Sequence, residues 1–199
     1  MPPIWSEVVQ HVRQDRQEPD VSPAGSSHRR LADFDEIYRE HFPYVWRALR
    51  RLGVAMADLE DVTHEVFVVV HRRLADFDGR RPVKPWLFGI AYRLATEDRR
   101  RAHRRYEHVT ANLDPPALGA RADDLIERDE RRQLVLECLQ VLNMEQRAVL
   151  ILLDIDGEAA ADVAAAMNIP LPTVYSRLRV AREKFAAAVR RARLRRGET

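Results

Sequence analysis

From Asp33 to the carboxyl end, apolar residues recur at every third or fourth position and nowhere alternate with polar ones. A chain patterned this way is confined to helices that each bury one face. Phe34, Ile37, Tyr38, Phe42, Val45, Trp46 and Leu49 mark a first helix, with Asp33 placed to cap it, Pro43 to kink or restart it and Gly53 to stop it. Leu59, Val62, Val66, Val69, Val70 and Leu74 mark a second, from about Asp58 to Phe77. Trp86, Leu87, Ile90, Ala91 and Leu94 mark a third, opened by Pro85 and running into Arg99, Arg100 and Arg101. Helical signal returns at Leu125 and continues through Leu134, Leu139 and Leu142. Shorter helices follow over Met144 to Leu153 and Glu158 to Met167, and a long basic helix starts at Thr173.

These segments predict an all-α protein of two small helical domains, an N-terminal bundle over 31–105 and a C-terminal helix-turn-helix domain over 125–199. Residues 1–30, with four prolines and a Gly25-Ser26-Ser27 cluster, read as a disordered extension. Residues 106–124, with Asp114-Pro115-Pro116 and Gly119, read as a flexible linker. No apolar run approaches the ~20 residues needed to cross a bilayer, and the amino terminus lacks a basic start followed by an apolar core. A cytoplasmic protein without membrane insertion is expected.

The formal net charge of +2 conceals segregation. Arg80 to Arg105 and Tyr175 to Thr199 each hold nine basic against two acidic residues, whereas 106–130 holds two against seven. Two separate basic blocks are the electrostatic footprint of a polyanion partner. All basic residues except Lys84 and Lys184 are arginines, whose planar fork suits phosphates and base edges.

Near the carboxyl end, an alanine-rich helix, a five-residue turn (Asn168-Ile169-Pro170-Leu171-Pro172) and a basic helix follow one another. Small side chains let the first helix brace the second closely, as a DNA-binding helix-turn-helix requires. Val174, Leu178, Ala181 and Phe185 form the inward stripe. Thr173, Tyr175, Ser176, Arg177, Arg179 and Arg182 are left to face duplex DNA. Around the third helix, Trp86, Phe88 and Tyr92 are interleaved with arginines, a composition that can stack unpaired bases beside a cationic surface. Read in isolation, the segment is better explained by Trp86 and Phe88 as core residues and the arginines as a solvated helix end that favours the helix dipole.

Catalytic readings fail on spacing. Asp58, Asp61 and Glu65 lie three and four residues apart, one exposed stripe rather than a pocket. His64-Glu65 opens like a zinc-hydrolase motif, but Val68 occupies the second histidine's place. With one cysteine, Cys138, there is no disulfide and no thiolate metal centre. No enzyme activity, metal or cofactor is expected.

Asp58-Leu-Glu-Asp-Val-Thr-His-Glu-Val-Phe67, the loop Asp78 to Pro85, Trp86-Leu-Phe-Gly-Ile-Ala91 and Pro172-Thr-Val-Tyr-Ser-Arg-Leu-Arg-Val-Ala-Arg182 occur in this order. The arrangement resembles the extracytoplasmic-function (ECF) sigma factors of bacterial RNA polymerase. That resemblance implies a region 2-like domain whose Asp58, Asp61, His64, Glu65 and Phe67 meet the clamp helices of core RNA polymerase. It also implies minus-ten DNA contacts from Arg80, Arg81, Lys84, Trp86, Tyr92, Arg93, Arg99 and Arg100. A region 4-like domain would read the minus-thirty-five element with Thr173, Tyr175, Ser176, Arg177, Arg179 and Arg182. Core polymerase, promoter DNA and an anti-sigma factor are the implied partners. His64 departs from the family's usual Gln, Gly89 from Arg or Tyr, Arg93 from Asn, and Tyr175 from Lys or Arg. The alternative reading is a stand-alone helix-turn-helix regulator, which would need a dimer seam that the sequence lacks.

Overall fold

The computed structural model describes residues 34–77, 79–107 and 123–196. The extension 1–30 and nearly all of the segment 106–124 lie outside them. Seven helices make up the described residues: α1 (Phe34–Leu52), α2 (Leu59–Arg73), α3 (Val83–Glu107), α4 (Asp123–Gln140), α5 (Met144–Leu150), α6 (Ala160–Met167) and α7 (Leu171–Arg196). A 3-10 turn (Leu74–Asp76) follows α2, and a π turn (Ile151–Ile155) follows α5.

Each helix buries the stripe its spacing dictates. Ile37, Val45 and Leu49 of α1 pack with Val62, Val66 and Val70 of α2 and with Leu87, Phe88 and Ala91 of α3. In the second half, Val174, Leu178, Ala181 and Phe185 of α7 are all buried, and the stripe continues through Ala188, Val189 and Ala192. The core is continuous between halves: α1 touches α4 and α5, and α3 packs on α6. Burying apolar side chains in this way, at ~25 cal/mol per Å², is the principal stabilising term.

Three local expectations are corrected. α1 does not restart at Pro43: the helix runs unbroken through this exposed residue. α3 begins two residues before Pro85, which thus stands at the third helical position, still within the turn whose N–H groups need no helical partner. The basic helix α7 begins at Leu171 rather than Thr173, leaving Pro172 within its first turn.

The helix ends are closed by specific groups. Asn143 Oδ1 accepts from the backbone N–H of Gln146 at 2.8 Å, capping α5. Asn143→Ala removes this acceptor and should lower stability by about 1 kcal/mol, read as a shift in the urea midpoint at unchanged slope. α6 stops at Asn168, which takes the left-handed conformation (φ 53°, ψ 50°) while the Ile169 N–H returns to the Ala164 carbonyl at 3.0 Å. Asn tolerates this conformation better than most residues, and it turns the chain sharply into α7.

Candidate nucleic-acid interface

α2 presents the carboxylate stripe. Asp61, His64 and Glu65 are exposed and Asp58 is half-buried at the helix entry. Arg101 of α3 reaches Glu65 at 3.4 Å. Phe67 does not belong to the exposed stripe: it is 2% exposed, with its ring 4.7 Å from Tyr38 and 5.9 Å from Phe42. It lies on the inner side of α2 and supports the surface from beneath. Sequence reasoning missed Val68, which is half exposed and lies four residues after His64 on the same stripe. Phe34, Tyr38, His64, Phe67, Val68 and His71 line a groove of about 440 Å³ beside it.

The minus-ten set divides by environment. Arg80, Arg81, Arg93, Arg99 and Arg100 are exposed. Lys84 Nζ stands 5.9 Å from the centre of the Tyr44 ring, a cation–π arrangement. Trp86 is half-buried with its ring 4.8 Å from Phe77, so part of it is committed to the core. A cleft of about 600 Å³ opens between this loop and the start of α1, lined by Glu36, Ile37, Glu40, His41, Phe77, Pro82, Val83 and Lys84. The sequence reading assigned no role to its α1 wall. Tyr92 faces the second half of the molecule. Burial, and then the negative charge of Glu145, raise its phenol above the usual range.

On α7, Tyr175, Ser176 and Arg179 are exposed and Thr173 half-buried; Ser176 Oγ donates to the Thr173 carbonyl at 3.0 Å. Three arginines have acidic partners. Arg179 Nη1 meets Glu183 at 2.8 Å one turn along, fully at the surface, where such a pair contributes only ~0.3–0.5 kcal/mol. A phosphate or base edge can displace Glu183. Arg177 Nη2 meets Glu145 of α5 at 2.8 Å. Arg182 is held more firmly: Nε and Nη2 donate to the two oxygens of the buried Asp154, at 2.9 and 2.7 Å, and this bonding raises its pKa further. It ties α7 to the π turn, while 41% of its side chain stays exposed to solvent. Exposed basic side chains thus sit on α3 and the loop before it and on α7, and among the described residues no cluster of His, Cys, Asp or Glu suited to a metal ion is present. No helix of the described residues is long and apolar enough to cross a membrane.

This geometry coincides with known sequence families. Residues 37–105 match the Sigma-70 region 2 family and residues 132–185 the Sigma-70 region 4 family. Among curated proteins, the ECF RNA polymerase sigma factor SigE of Mycolicibacterium smegmatis is 28% identical over 92% of this chain and 75% of its own. The RNA polymerase sigma factor CnrH of Cupriavidus metallidurans is 28% identical over 84% of this chain and 91% of its own. Among solved structures, the sigma factor RpoE in complex with the anti-sigma factor NepR from Bartonella quintana superposes with a TM-score of 0.64 at 20% identity, covering 79% of this chain and 97% of that one. CnrH in complex with the cytosolic domain of CnrY superposes with a TM-score of 0.58 at 21% identity, over 92% and 94%.

A region 2 bundle and a region 4 helix-turn-helix in one chain define a sigma-70-type transcription-initiation factor, a protein without enzymatic activity. Within that class, the chain belongs to the extracytoplasmic-function sigma factors.

Proposed function

We propose that this chain docks on core RNA polymerase through the α2 stripe and directs it to promoters, with the α3 side holding the melted minus-ten strand and the amino end of α7 entering the major groove of the minus-thirty-five element. The observation that carries the reading is the exposure of Tyr175, Ser176 and Arg179 together at the start of α7, next to a tight turn and above a fully buried stripe. A helix fixed in this way can place side chains against base edges, with its amino end near phosphates. On the first half, the exposed arginines supply the backbone-tracking charge and the partly exposed ring of Trp86 a stacking surface. The sigma-factor complexes with NepR and CnrY support an anti-sigma factor as a further partner. Asp61, His64, Glu65 and Val68 form the face offered to the clamp helices. The cell compartment that fits this role is the cytoplasm.

Promoter-dependent transcription by core polymerase, measured with and without the protein, tests the reading; tight sequence-specific duplex binding with no affinity for core polymerase rejects it. Arg179→Ala should weaken upstream-element binding by about 1–3 kcal/mol if the side chain reads a base, or reduce the salt slope by about one if it contacts phosphate. Because Arg179 makes only a surface pair, its loss should leave the unfolding midpoint unchanged, and a variant with unaltered DNA binding removes it from the interface.

A further inference from the structure

α1 carries more apolar surface than its neighbours cover. Phe34, Tyr38, Phe42 and Trp46 recur every four residues, and all four are only half-buried. Their rings form a ladder along the helix, with successive centroids 6.0, 5.4 and 6.1 Å apart. Beside it, His71 of α2 stands edge-on to Phe34 at 5.0 Å, and the exposed Val68 completes the groove between the two helices. Contiguous exposed apolar surface of this kind marks a docking site, because covering it returns ~25 cal/mol per Å².

The chain itself supplies an occupant. Thirty-three residues precede Phe34, which is a wall of the groove. In that extension, outside the described residues, Ile4, Trp5, Val8, Val9 and Val12 recur at helical spacing and would share about 140° of arc on a helix. Pro2 and Pro3 stand just before them, where a helix start tolerates proline. A helix this short is marginal in water and needs a surface to lie on. It would be about 13 Å long, against about 18 Å for the ladder from Phe34 to Trp46, and residues 13–33 can stretch to about 70 Å, ample for the return. Charge agrees: Glu7 is the one charged side chain among Asp, Glu, Lys and Arg in residues 1–12, and Arg72 is the one lining the groove.

We propose that residues 4–12 fold as a helix onto the groove of α1 and α2, so that core polymerase must displace this segment of the same chain to reach His64 and Val68. The competition rests on the sigma-factor reading, while the seating of the segment does not.

Amide hydrogen exchange on the full chain tests the seating. Residues 4–12 should exchange slowly in the parent. Val68→Arg, which fills the groove from an exposed position, should release them while far-UV helicity of the remainder is retained, and so should Trp5→Asp combined with Val9→Asp. If the segment covers the groove in about nine molecules in ten, the Trp5→Asp/Val9→Asp chain should bind core polymerase about tenfold more tightly than the parent. Exchange in the parent as fast as in an unfolded peptide, or protection that survives Val68→Arg, overturns the proposal. Protection that grows with protein concentration also overturns it, by making the occupant a second copy, as does polymerase affinity unchanged by the double substitution. Failure of the sigma-factor reading is distinguishable: a segment protected and released as expected, in a protein whose parent and variants never bind core polymerase, refutes that reading alone.

Discussion

Replacing Arg147 with alanine is expected to destabilise the fold by about 3–5 kcal/mol, measured by urea unfolding. The side chain is 1% exposed. Nη1 donates to the Leu52 carbonyl at 2.7 Å and Nη2 to the Leu142 carbonyl at 3.1 Å, while Nε has no partner among the described residues. Two opposing terms decide the outcome. Taking a guanidinium out of water is costly, and burial, with the nearby positive charge of Arg99, lowers its pKa to about 10. Removing it, however, strands two buried carbonyls, each worth about 1–3 kcal/mol, and opens a cavity.

The second term wins, because the Leu52 carbonyl ends α1 and finds no other donor in the helix. Gly53 is shaped for this contact: its φ of +97° closes the helix, and a Cβ there would stand 2.5 Å from Arg147 Nη1. Arg147→Met, which keeps bulk and removes the donors, should still destabilise by about 2 kcal/mol; a stabilised Met variant would show that desolvation dominates. The pH dependence follows from the depressed pKa. The unfolded chain binds the extra proton only from about pH 10 up to the ordinary guanidinium range, so the charging penalty is constant below pH 10 and is relieved as pH rises through that window. The Arg147→Ala difference should therefore be the same at about pH 6 and about pH 9.

Such contacts mark the limit of what periodicity reveals. The α7 stripe was legible because a helix repeats its neighbours locally, and all four residues read as inward are buried. The α1 stripe was legible in Ile37, Val45 and Leu49, but Phe34, Tyr38, Phe42 and Trp46 are only partly covered. They lie at the edge of an apolar face wider than its partner helices can hide. The pairings of Arg51 with Asp156 and of Arg147 with Leu52 join positions about a hundred residues apart, and no spacing rule connects them. Arg182 illustrates the same limit within the candidate site. It follows Ala181 at the border of the buried stripe, where outward and inward differ by one neighbouring carboxylate, and Asp154 is supplied by a different element. Local pattern thus assigns the proposed DNA-facing residues to their helices, while which of them are engaged by other side chains is set by tertiary partners.

Phe185→Ala should be comparably severe, at about 3–5 kcal/mol, because an aromatic side chain 1% exposed leaves a cavity that the surrounding helices cannot fill without moving. For a chain of this length, that corresponds to a fall in Tm of about 10 °C. Its functional consequence differs from that of Arg179→Ala. Phe185 lies more than two turns beyond Ser176 and anchors α7 against the rest of the core, so its loss should loosen the pose of the entire reading helix and weaken contacts to bases and phosphates together. Arg179→Ala should remove one contact from an otherwise intact fold. The shape of the transition is equally informative. The core runs without interruption from α1 to α7, so Phe185→Ala should shift one cooperative transition that includes α1–α3. Two separated transitions, with only the later helices destabilised, would show that the halves unfold independently and that their contacts contribute little to stability.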